Sequence, residues 1–110
     1  MQQQIRQGDV YLIPVESIPD SAKPVAREGG RVILAHGEVT GHAHAITAPD
    51  AELLATPGAT ADMADRFLRL RSKAVLAHEE HGHIEVPAGS YRVVVHDEWS
   101  DEMEPRRVLD

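Results

Sequence analysis

The chain contains no cysteine, so it can form no disulfide framework and can offer a metal no thiolate. Any metal must be held by nitrogen and oxygen. Aromatic residues are scarce at 4%, leaving Val, Ile, Leu and Ala to fill the core. Positive charge is also short: 11 Lys and Arg stand against 18 Asp and Glu, for a net charge of −7. That balance argues against a general binder of phosphate backbones, which needs a basic face. No apolar run is long enough for a membrane span, and the opening "MQQQIRQGDV" lacks the hydrophobic stretch of a signal peptide. The expected address is therefore the cytoplasm, with neither nucleic acid nor membrane as partner.

What remains is an ordinary soluble composition, 42% hydrophobic and 26% charged, over 110 residues. That length makes one domain, residues 1–110, since two would each be too small to bury a useful core. A core this small and poor in aromatics gains from a staple, either a metal or a partner subunit.

Period-two patterns and closely spaced turn residues predict an all-β fold. "DVYLIPV" reads as the first strand, with Pro14 suggesting an edge position. "RVILA", "HAHAIT" and "ELLAT" follow, separated by glycine- and proline-bearing turns. In "RFLRLRS" apolar and basic residues alternate, which favours a strand over a helix capped at Thr60. On that strand Arg66, Arg69 and Arg71, with Lys73 beyond it, read as a solvated face. "KAVLAH" and "HIEV" look like strands joined by the "EEHG" turn, "SYRVVVHDEW" is the longest strand, and "RRVLD" reads as a last edge strand. The sum is about seven to nine short strands in a small antiparallel β-barrel or sandwich, cupin-like or a β-roll. Exposed strand edges in so small a fold suggest a homo-oligomer, in the simplest case a C2 dimer.

The histidines are unevenly distributed. Five of the seven fall in "GEVTGHAHAI" and "LAHEEHGHIEV". On a strand His42 and His44 project in parallel, roughly 7 Å apart, a spacing at which two imidazoles can close on one metal. His78 and His81 lie around the Gly82 turn, with Glu79 and Glu80 among them, and can reach the same end of the fold. Packing gives little reason for such clustering, and protonated histidines repel, so a metal is the natural compensation. The expected ligands are His42, His44, His78 and His81. The expected ion is a divalent transition metal: Zn, Fe, Mn, Ni or Cu.

"HEEHGH" is not the helical His-Glu-x-x-His of zinc proteases, because the fourth residue after His78 is Gly82. His36 stands beside the HAH strand as a second-layer partner or a bystander, His83 has no assigned role, and His96 shares the solvated parity of Arg92. "LAHGEVTGHAH" and "LAHEEHGHIE" resemble each other, but over too few residues to establish a repeat.

From "QGDVYLIPV" through "GEVTGHAHAI" to "HEEHGHIEVPAGSYRV" the chain resembles a set of small, largely uncharacterised bacterial and phage-type proteins. That resemblance implies no activity and draws attention to His42, His44, His78, Glu79, Glu80 and His81. At His42, His44 and the Pro87-Ala88-Gly89 turn the chain also resembles the cupins, which hold a metal with an HxH pair, a glutamate and a later histidine. It departs from them where the glutamate should be, at Ala48 or Pro49, and where the later histidine should be, at Arg92. The missing ligands would have to come from His78, His81 or Glu80.

Beside a purely structural domain whose histidines are solvated, two function classes stay open. A metalloenzyme would keep a coordination position for a small molecule, with Glu80 or Glu79 as general base. A metal-stapled interaction module would close the coordination with four protein ligands and place its function elsewhere. In both, ligand imidazoles must be neutral, so affinity falls as pH drops through roughly 6.5.

Overall fold

The computed structural model describes residues 4–36, 43–57, 65–78 and 82–95. These form ten strands: β1 (Ile5–Gln7), β2 (Val10–Pro14), β3 (Lys23–Pro24), β4 (Val32–His36), β5 (Ala43–Ile46), β6 (Ala51–Ala55), β7 (Arg66–Leu70), β8 (Ala74–Leu76), β9 (Ile84–Val86) and β10 (Gly89–Val95). The all-β expectation holds, and β7 is a strand. The count exceeds the expected range through β1 and the two-residue β3, both too short to leave a periodic pattern. "RRVLD" and the residues after Val95 lie outside the described residues. Among the described residues no helix is long and apolar enough to cross a membrane.

Six strands make an antiparallel sheet in the order β1-β2-β10-β7-β6-β3, which among the described residues does not close into a barrel. The hairpins β4-β5 and β8-β9 are joined to each other by one antiparallel bridge, Ala45 to Ala77. They cover the inner face of the large sheet. Beside a small second cluster of Ile33, Ala43 and Ala45 on the β4-β5 hairpin, the main core sets Val10, Leu12, Leu53, Leu68, Tyr91 and Val93 from the sheet against Val32, Leu34, Ile46, Leu76 and Val86 from the hairpins. Aliphatic residues fill it, as the shortage of aromatics requires, each fully buried one contributing about 1.5–3 kcal/mol. Tyr91, the largest fully buried side chain among the described residues, satisfies its hydroxyl on the Pro87 carbonyl at 2.6 Å.

Pro14 behaves differently from the expectation. The β2 strand is an interior strand over Val10–Leu12, flanked by β1 and β10. Val15 N donates to Ser90 O, so odd-numbered amides of β2 face β10 and even-numbered ones face β1. The amide that proline lacks would point toward β1, whose register with β2 ends at the Ile5–Leu12 pair. Pro14 therefore occupies a local edge within an otherwise internal strand.

The basic residues do not form one face. Arg69, on the outer face of β7, and Arg71, just past its end, pair with Glu52, and Lys73 pairs with Glu85. Arg66 has the opposite parity, with the core residues Leu68 and Leu70, and its backbone neighbours across the sheet are Val93 and Ala55. It is half-buried, and desolvation lowers its pKa. No hydrogen-bond or ion-pair partner reaches it among the described residues.

A candidate histidine centre

Ala45 and Ala77 exchange both backbone hydrogen bonds, at 3.0 and 2.9 Å. In an antiparallel ladder the pair beside such an exchange is the close, non-hydrogen-bonded one, with Cα atoms about 4.5 Å apart. One step back along β5 from Ala45 is His44, and one step on from Ala77 is His78. The register thus sets the two histidines directly opposite each other, on the face that β5 shares with the core residue Ile46. Their ring centroids are 4.1 Å apart with a 31° tilt, and the residues are only 2% and 5% exposed. With Gln7, at 3%, they are the buried polar residues among those described.

Gln7 decides which nitrogen of His44 carries a proton. On β1 it has the inward parity of Ile5, and its register partner is the core residue Val10. Its Nε2 donates to Leu76 O at 2.9 Å and to Gly82 O at 2.6 Å. An amide has two N–H groups, so both are committed and the orientation is fixed: Oε1 must be the acceptor facing His44. His44 Nδ1, 2.7 Å from that oxygen, therefore donates. In the neutral ring Nε2 is then the lone-pair nitrogen. Its neighbour is Asp9 Oδ1, at 3.4 Å. A ligating histidine shows the same division, with one nitrogen donating to an oxygen that orients the ring and the other left for the metal.

Short loops hold these groups. Gly8 and Asp9 form the two-residue turn between β1 and β2, and Gly8 takes the positive φ of 60° that such turns demand of their first residue. Gly82, φ 78°, donates its N–H to His78 O at 3.2 Å while its carbonyl accepts from Gln7. Gln7 thereby ties β1 to the end of β8 and to Gly82 through a side chain, at a corner where no ladder joins them among the described residues.

Of the expected site residues, His44 and His78 come together, while His42, Glu79, Glu80 and His81 lie outside the described residues, as does His96. Among the described residues no three histidine, aspartate or glutamate side chains form a group that could hold a metal. His36 is a surface residue paired with Glu28 at 3.1 Å, and His83 is exposed. The two "LAH" segments therefore differ in role, His36 outside and His78 inside, and their hairpins lie side by side. Arg92, where a cupin would place its last histidine, pairs with Asp65 on the sheet's outer face. Sequence reasoning missed Gln7 and Asp9. The available signal was "QGDV", a two-residue turn chemistry preceded by a polar residue in phase with Ile5.

Residues 6–96 match the model of a family described as a domain of unknown function, DUF8820. The chain belongs to that family. Comparison with curated proteins and with solved structures found no match.

Proposed function

We propose that this DUF8820 chain is a metal-binding β domain whose centre is built on His44 and His78 and takes a divalent transition metal. The observation that carries the reading is the buried cross-strand pair His44 and His78, in which one imidazole is oriented by Gln7 at its Nδ1 and has its Nε2 3.4 Å from Asp9 Oδ1. Two buried imidazoles stacked at 4.1 Å are a poor substitute for aliphatic packing, whereas ligation uses their lone pairs. The remaining ligands come from the segments adjoining the pair. His42 is one residue from Ala43, and Glu79 is one residue from His78, so covalent geometry keeps each Cα about 3.8 Å from a described neighbour. His42 and His81 are proposed as the further nitrogen ligands, and Glu79 and Glu80 as a ligand or the general base on a metal-bound water.

A metal with an open position would act as a Lewis acid on a small-molecule ligand; with a closed shell it would only staple the fold. The staple has its own support, because Gln7 already gathers β1, β5 and β8 at this corner.

Thermal unfolding tests the reading. A ligand that binds only the folded state, present at 1,000 times its Kd, adds about 4 kcal/mol. At about 4–8 °C per kcal/mol for a domain near 100 residues, chelation should lower the Tm by 15 °C or more. Re-adding zinc should restore it. A Tm indifferent to chelator and to added metal would contradict the proposal.

A further inference from the structure

We propose that β1 is a latch: solvent reaches the buried pair His44 and His78 when this strand lifts locally off β2, without unfolding of the domain. With the strand in place the two histidines are 2% and 5% exposed, so nothing from solvent meets them unless part of the fold moves. Gln7 is the residue of β1 that lies against them. Its Oε1 is 2.7 Å from His44 Nδ1, and its Nε2 donates to the carbonyls of Leu76 and Gly82, which precede and follow His78 in the chain. The burial is the same whichever protonation state the rings adopt, and it requires no bound metal.

What holds β1 down is little and local. It is three residues long, and among the described residues it has a ladder only with β2. Since the amides of Val10 and Leu12 face it, that ladder consists of two hydrogen-bonded pairs, Gln7 with Val10 and Ile5 with Leu12. Arg6 adds no tie across the corner: its Nε donates to Gly8 O and its guanidinium lies over Tyr11, both within the same hairpin. Short elements with few buried contacts open at far lower free energy than the domain unfolds. Lifting β1 gives up those pairs, the Gln7 bonds and the packing of Ile5, and leaves the ladder of β2 with β10 intact. Any ligand of the pair, a metal included, would then enter and leave at the rate of this opening.

The test is the rate at which diethyl pyrocarbonate acylates each histidine of the full-length chain, resolved by peptide mass mapping. Exposed His36 and His83 are the internal references. Arg6 and Tyr11 form the non-hydrogen-bonded pair of the hairpin, with Cα atoms about 4.5 Å apart, within reach of a disulfide. The chain has no cysteine of its own, so the oxidised Arg6→Cys, Tyr11→Cys variant locks β1 alone. Arg6→Ser, Tyr11→Ser is its unlocked counterpart, and circular dichroism verifies both folds. In the wild type, His44 and His78 should react more slowly than His36, with a urea dependence well below that of global unfolding. The lock should slow both about tenfold or more against the serine variant and leave His36 and His83 within about twofold. A urea dependence equal to that of global unfolding, measured on the wild type alone, would overturn the latch. So would equal rates in the locked and serine variants, or His44 and His78 reacting as fast as His36.

Discussion

Gln7 is a glutamine at a position where every inward neighbour on β1 and β2 is aliphatic, and its three hydrogen bonds account for it. Gln7→Leu would keep the volume and delete all three. The His44 N–H and the Leu76 carbonyl would remain buried without their partner, at about 1–3 kcal/mol each. A loss of about 2–4 kcal/mol is expected in urea unfolding, and nitrogen NMR of the His44 ring should lose the Nδ1–H signature of the wild type. A change under 0.5 kcal/mol would show that water replaces the amide. Arg66 makes the opposite case, since its guanidinium is partly desolvated without a described partner. Replacing a poorly compensated charge with an apolar residue of similar volume is neutral or stabilising. Arg66→Met should therefore match or exceed the wild type in denaturation midpoint, and a clear loss would reveal a partner. Neither residue was legible in advance. Ile5-Arg6-Gln7 is too short to show alternation, and Arg66 shares its basic identity with Arg69 and Arg71 while having the opposite parity.

At the scale of the elements, the site depends on one bridge and one turn. The strands β2 and β4 through β10 were readable from short apolar or alternating runs between turn residues, and the histidine clusters were readable as clusters. What the sequence could not supply was register. That His44 faces His78 follows from the Ala45–Ala77 bridge, and two alanines carry no signal that they pair. Gly82 makes a measurable prediction because its two constraints separate. A Cβ there would meet nothing within 4 Å, yet φ is +78°. Gly82→Ala should then cost only the left-handed backbone term, about 1–2 kcal/mol, in chemical denaturation. A larger loss would mean that Gln7 and the Gly82 carbonyl part company as the turn relaxes.

For the whole molecule, a small aliphatic core, a six-stranded sheet unclosed among the described residues and a net charge of −7 leave little reserve stability. A divalent cation held beside β1, β5 and β8 would offset both the like-charge repulsion and the open corner. The most direct measurement is elemental analysis of tag-free protein purified without chelator, beside His44→Ala and His78→Ala variants that retain their β spectrum. The account predicts near-stoichiometric transition metal in the wild type and its loss in both variants. Wild-type protein that carries no metal, and takes up none of zinc, iron, manganese, nickel or copper when each is supplied, would contradict it.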